Sequence, residues 1–197
     1  EYRAAEGSPE AWKEIGSRQG RFNDEEIARW NTSELPDGAY QLSLTAIDSN
    51  SYTSATQRTL ILDNTRPQPI IASPKDGDVL RTGSIAVIGT ATDQHFSRYE
   101  LQFSQVFPSE ISPGETGGAS GHIPPLTNAP VENGRLGDWN ATELPGGEYT
   151  LRLTVFDLAG LEASAEVNVI FDDAEVIAQI SSPKRDGFVS STVQIIG

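Results

Sequence analysis

Apolar and polar residues alternate along several short runs of this chain. Tyr40, Leu42, Leu44 and Ala46 alternate with Gln41, Ser43 and Thr45. Tyr149, Leu151, Leu153 and Val155 alternate with Thr150, Arg152 and Thr154. A period of two puts each apolar set on one face of a β-strand, the face a core would cover. Leu60 with Leu62, Val167 with Val169 and Phe171, Ile85 with Val87, and Val193 with Ile195 continue the habit. Asp37-Gly38, Asp76-Gly77 and Gly146-Gly147 separate these runs as turns. No apolar stripe of helical period is sustained, and only Pro9 to Ile15 predicts a short turn of helix.

The pattern occurs twice. Trp30-Asn31-Thr32-Ser33-Glu34-Leu35-Pro36-Asp37-Gly38-Ala39-Tyr40 recurs as Trp139-Asn140-Ala141-Thr142-Glu143-Leu144-Pro145-Gly146-Gly147-Glu148-Tyr149, an offset of 109 (139 − 30). The offset holds from Asp48 to Asp157, from Asp63 to Asp172 and from Pro74 to Pro183. A constant long period predicts tandem modules. Residues 67–175 are then a complete module, 1–66 the C-terminal part of a preceding one, and 176–197 the first strands of a third. Tyr2-Arg3-Ala4 aligns with Tyr99-Glu100-Leu101, and Val193 to Gly197 with Ile85 to Gly89. On that alignment only the equivalent of Thr90 to Ser97 is missing between the two partial modules. They are expected to complete each other between copies, as strands donated to a neighbour. The rival is one slice of a continuous repeat polypeptide. A Pro- and Gly-rich insertion from Ser104 to Val131 is expected as a surface loop without strand, and its counterpart near Trp12 is 12 residues shorter (109 − 97).

These residues resemble a known family. Leu35-Pro36-Asp37-Gly38-Ala39-Tyr40 with the alternation to Ala46 is similar to the late-strand signature of fibronectin type III domains. Trp139 to Tyr149, followed by Leu151 to Gly160, resembles the Ig-like repeats of large bacterial extracellular proteins. Asp63-Asn64-Thr65-Arg66-Pro67 matches the linker that often ends them, whereas the second copy departs at Asp172-Asp173-Ala174-Glu175. The resemblance implies an all-β fold of tandem Ig-like or fibronectin III-like β-sandwich modules. In such a sandwich a corner tyrosine buries its ring and bonds backbone a few residues upstream. Tyr40 is expected to reach back toward Leu35 or its neighbours, and Tyr149 toward Leu144. Trp30 and Trp139, equivalent in the two copies, are read as packing residues in preference to sugar-stacking platforms.

Composition narrows the function. Asp and Glu number 28 against 14 Lys and Arg, a net charge of −14, which phosphate backbones repel; no nucleic-acid partner is expected. There is no Cys, which excludes disulfides, thiolate metal sites and Cys nucleophiles. There is no Met either, so Glu1 reads as the start of a processed or excised piece. No apolar run approaches the roughly 20 residues that span a bilayer, so no membrane insertion is expected. His95 and His122, the only histidines, lack metal-ligand spacing, and no nucleophile elbow or phosphate loop is present. The chain therefore reads as no enzyme.

Calcium is the one candidate cofactor, at Asp63, Asn64, Asp172 and Asp173, where modules meet. Asp48, Asp93 and Asp157 end strands nearby in sequence. Turn acids held by backbone bonding are the alternative. Asn31-Thr32-Ser33 and Asn140-Ala141-Thr142 have the glycosylation-acceptor pattern, in equivalent turns. The reading that results is a non-catalytic extracellular or cell-surface structural or adhesive repeat: stalk, spacer or filament subunit. Its expected partners are itself or neighbouring repeats, with a cell-surface glycan or protein as a further candidate. The alternative is an accessory carbohydrate- or protein-binding module of a secreted enzyme, with Trp12 and Phe107 as exposed aromatic platforms.

Overall fold

A computed structural model describes residues 1–6, 12–81, 83–106, 118–172, 179–185 and 187–196. Among them every regular element is a β-strand. Strands β1 (Tyr2–Ala4), β2 (Gly38–Ile47) and β3 (Thr53–Leu62) form one antiparallel sheet in the order β1-β2-β3. The following eight strands make two sheets. One holds β4 (Ile70–Ser73), β6 (Ser84–Ala91) and β9 (Val131–Asn140) in that order. The other runs β5 (Val79–Leu80), β11 (Glu162–Phe171), β10 (Gly147–Asp157), β7 (Phe96–Gln105), β8 (Ser120–Ile123). Only β5 pairs in parallel, with β11. The result is an Ig-like or fibronectin III-like β-sandwich, as the resemblance implies, built from the strands that the period-two runs predict.

Its core is what the alternation dictates. Tyr149, Leu151, Leu153 and Val155 are buried together with Val169 and Phe171 from β11 and Val87, Leu136 and Trp139 from the facing sheet. Trp139 stands edge-on to Phe171 at 4.9 Å and to Tyr149 at 5.9 Å, ring arrangements that add to burial. The Tyr149 hydroxyl donates to the Pro145 carbonyl at 3.0 Å, the immediate neighbour of the expected Leu144. Gly147 at the start of β10 has φ 139°, which a side chain rarely adopts, so the turn requires glycine there. Tyr99 reaches across the sandwich and donates to Leu136 O at 2.7 Å.

The β1–β3 sheet carries the same arrangement. The Tyr40 hydroxyl donates to Pro36 O at 2.9 Å, and Trp30 stands edge-on to Tyr40 at 5.8 Å. Tyr2 packs on Trp30 at 4.7 Å and lies 6.3 Å from Tyr40. Phe103 is the ring with those neighbours in the sandwich, 5.2 Å from Trp139 and 6.3 Å from Tyr149. Strand register agrees, because Tyr2 pairs with Leu42 as Phe103 pairs with Leu151. Tyr2 thus corresponds to Phe103 and not to Tyr99. The offset is 101 (103 − 2) rather than 97, and the shorter connection differs by 8 residues (109 − 101) rather than 12.

Three local expectations change with the pairing partners available. Within the insertion, Ser120–Ile123 forms β8, because this proline-free stretch finds the open edge of β7. Lys13 makes a β-bridge with Tyr2, so the stretch to Ile15 does not continue as helix; residues 7–11 lie outside the described set. Val193 and Ile195 lie in no strand, and their segment makes one bridge, Ser182 to Ile196.

What differs between the two arrangements is cover. Leu153 is 0% exposed, whereas its counterpart Leu44 is 47% exposed. A buried Leu→Ala change typically costs about 2–5 kcal/mol. Leu153→Ala is therefore expected to destabilise by about 2–5 kcal/mol and Leu44→Ala by under about 1 kcal/mol, measured by chemical denaturation. Equal losses would mean that the β2 face is covered after all.

Candidate functional site: the joint between the two sheet systems

The chain passes from β3 to β4 through Asp63-Asn64-Thr65-Arg66-Pro67, and this linker is fastened on both sides. On the β2 side, the Asp37 carboxylate accepts from the Asn64 amide at 2.6 Å and from the Thr65 hydroxyl. The Asn64 side chain donates to Thr32 O at 2.9 Å and Leu35 O at 3.2 Å, closing the turn that leads into the tyrosine corner. On the sandwich side, Asp63 Oδ2 lies 2.7 Å from His95 Nδ1, in the turn between β6 and β7. Arg66 donates to Glu162 O at 2.8 Å at the start of β11, and Pro67 is buried. The linker has few free torsions left, because Pro67 fixes φ, Asn64 and Thr65 are bonded back to the β2 side, and Arg66 is bonded forward to Glu162.

Electrostatics follow the same geometry. The Thr65 hydroxyl, then the Asn64 amide, hold the Asp37 carboxyl below its ordinary value. Burial pushes the Tyr99 and Tyr149 phenols up. The His95 amide donates to Asp93 Oδ1 at 2.7 Å, so Asp93, His95 and Asp63 form one chain of contacts. Ligand atoms of these three residues lie within 4.8 Å of one another, a span one cation could bridge with two oxygens and one nitrogen.

That set differs from the one expected. Asp63 takes part. The Asn64 amide nitrogen is turned to backbone carbonyls. Asp172 follows the far end of β11, where its amide bonds Leu80 O, ten strand residues from Glu162 beside the joint. Asp173 lies outside the described residues. Asp48 and Asp157 have the same task in their hairpins: Asp48 Oδ1 accepts from the Tyr52 amide, and Asp157 Oδ1 from the Leu161 amide.

The other candidates settle as follows. Trp12 is half-buried, with the Arg3 guanidinium 4.5 Å over its ring, so that face is not an open platform. Phe107 lies outside the described residues. Trp139 is buried and Trp30 is half-buried, both in ring clusters. Asn31 and Asn140 are exposed, and each side-chain oxygen accepts from the residue two positions on, Ser33 and Thr142. His95 and Asp37 were missed as joint residues. The Asp37-Gly38 turn signal pointed at Asp37, but nothing local marks His95, whose partner is 32 residues away.

One concavity stands apart from the joint. The outer face of the β8-β7-β10-β11 sheet holds a groove of about 690 Å³ lined by Gln102, Ser104, His122, Thr150, Arg152 and Glu166, with Arg152 paired to Glu166.

No family model matches the chain. It is 29% identical over 201 aligned residues to the mouse dyslexia-associated protein KIAA0319-like protein, covering 93% of this chain and 18% of that protein's length. The crystal structure of an engineered protein shares 18% identity over 54% of this chain and 20% of its own, with a TM-score of 0.36, too low to carry an architecture across. No helix among the described residues is long and apolar enough to cross a membrane.

Two outcomes test the joint. Because the Asp37 carboxyl is held low, the folded state binds its proton less readily than the unfolded chain. Its contribution is complete above the ordinary carboxylate range and is lost as pH falls through the lowered value. Asn64 and Thr65 amide signals followed by NMR should therefore shift together on acidification, and Asp37→Asn should remove that transition. Independent transitions would dissolve the latch. The second outcome concerns the cation. Asp63 and His95 already satisfy each other, so millimolar calcium or chelator should leave the melting temperature unchanged. A calcium-dependent rise abolished by Asp63→Asn would instead assign an ion to the joint.

Proposed function

We propose that the chain is a non-catalytic structural or adhesive segment of an extracellular or cell-surface polypeptide. It is built of consecutive Ig-like units with boundaries near residues 66 and 175. The observation that carries the reading is the fastened joint. A linker bonded to the unit before it through Asp37 and to the unit after it through His95 and Glu162 sets a fixed angle between them. Fixed angles suit a spacer, which must hold what it carries at a distance. The conspicuous acids fit the same role, since Asp37, Asp48, Asp63 and Asp157 hold turns and linker in place. A net charge of −14 keeps such segments soluble and mutually repelled, and it disfavours nucleic acid as a partner. The neighbouring unit is then the first partner, with a surface glycan or protein as a further one.

The groove supports a second reading, an accessory glycan-binding module of a secreted enzyme. Its size falls in the range of small-ligand sites, and its polar side chains project from rigid strands. Protease shaving of intact source cells, followed by a glycan-array screen of the chain, separates the readings. The structural reading expects the chain to be accessible at the surface, with no saturable glycan binding. Saturable binding weakened at least about tenfold by Arg152→Ala, a loss of about 1.4 kcal/mol, would favour the second. A strictly intracellular chain would overturn both.

A further inference from the structure

The joint gathers three side chains that can each ligate a metal ion. Asp63 follows Leu62, the last residue of β3, while Asp93 and His95 stand in the turn between β6 and β7. Their ligand atoms lie within 4.8 Å of one another. Each is already oriented. The Asp63 side chain is 6% exposed; its Oδ1 accepts from the Thr65 amide at 3.1 Å, and its Oδ2 lies 2.7 Å from His95 Nδ1. The Asp93 carboxylate accepts from the His95 amide across the turn. The His95 side chain is 27% exposed, so an ion can reach it from solvent.

A separate observation points to a ligand at the same end of the sandwich. Asp157 is 4% exposed, and its Oδ2 is buried with no hydrogen-bond partner, while Oδ1 accepts from the Leu161 amide. In the strand register Asp157 pairs with Phe96, the residue after His95, and Leu158 donates its amide to His95 O at 2.8 Å. A buried polar atom left bare is costly and calls for a water or an ion nearby. The β6–β7 turn is thus bordered by three carboxylates, Asp63, Asp93 and Asp157, beside one imidazole.

The donor set selects the kind of ion. Calcium takes six to eight oxygens, whereas the cluster supplies two carboxylates and a nitrogen. Imidazole with carboxylates suits zinc and its divalent transition-metal neighbours. We propose that Asp63, Asp93 and His95 form a site for one divalent transition-metal ion, which pins the linker to the β6–β7 turn. The contact between Asp63 and His95 is exchanged for two bonds to the ion. The imidazole carries its proton on Nε2, and Nδ1 gives its lone pair to the metal. Metal–ligand bonds of about 2.0–2.2 Å in a tetrahedral set place donor atoms roughly 3.3 Å apart. The 2.7 Å contact therefore opens by about 0.6 Å, a side-chain adjustment, and water takes the remaining position. Asp63 and His95 are 32 residues apart in the chain, so the ion makes the stiffness of the joint depend on metal supply. The site needs only the joint and holds for a chain of any task.

Zinc is the probe. The untagged chain, stripped of metal, is titrated with zinc chloride by calorimetry at a pH of about 7.5, where a free imidazole is neutral. One ion per chain is expected, with micromolar affinity that millimolar calcium does not reduce. Asp63→Asn, Asp93→Asn and His95→Gln are each expected to weaken binding at least about tenfold, the loss that even outer partners of a metal cause. His122→Gln removes the other imidazole and is expected to change nothing. Circular dichroism before titration shows whether each variant folds. Where one does not, the unmodified chain carries the test: zinc should move the imidazole nitrogen signals of His95 in NMR and leave those of His122 in place. Binding that survives His95→Gln, binding lost with His122→Gln, displacement by millimolar calcium, or no saturation below about 1 mM zinc overturns the site.

Discussion

The burial of one apolar sheet face under a second sheet is the constraint on which the rest depends. A period-two strand has a core side and a solvent side, and the core side must be covered. In the sandwich the cover is complete. Trp139 brings its ring across the gap and stands edge-on to Tyr149 and Phe171, while Tyr149 ties its hydroxyl back to Pro145. Leu151, Leu153 and Val155 are sealed along the same strand. The outer side of the strands is left for polar ladders such as Arg152 with Glu166 and Thr150 with Asn168.

The β1–β3 sheet shows which parts of this arrangement are local. The corner forms without a facing sheet, because Tyr40, Pro36 and Asp37-Gly38 lie within a few residues of each other. The ring cluster forms partly, since Trp30 is near in sequence and Tyr2 is brought in by β1. Residues 22–31, which correspond in sequence to β9, form no strand. Burial thus falls from the corner toward Leu44 and Ile47, at the exposed end of β2.

The same division explains how much could be read from sequence. Strands β2, β3, β6, β10 and β11 were legible because each is a clear alternation. The offset of 109 made the corner and ring residues legible by coincidence of position. Strand β8 was hidden in a Gly- and Pro-rich stretch whose composition reads as loop, and it exists because β7 offers an edge. Tyr2 was matched to Tyr99 on residue type, whereas its place among Trp30 and Tyr40 makes it the counterpart of Phe103; only register and ring neighbours reveal this. At the joint, the Asp63-to-Pro67 linker was visible as a motif. Its bond to His95 was not, because two residues brought together by folding leave no local pattern.

Hydrogen exchange at residue resolution tests the dependence on cover most directly. Amides open with free energies that reflect the packing around them. In dilute chain, below any self-association, the Leu151 and Leu153 amides should exchange slower than those of Leu42 and Leu44 by on the order of 100-fold or more. Equal protection at the two sets of positions would show that the β2 face is as well covered as that of β10, and would contradict the account.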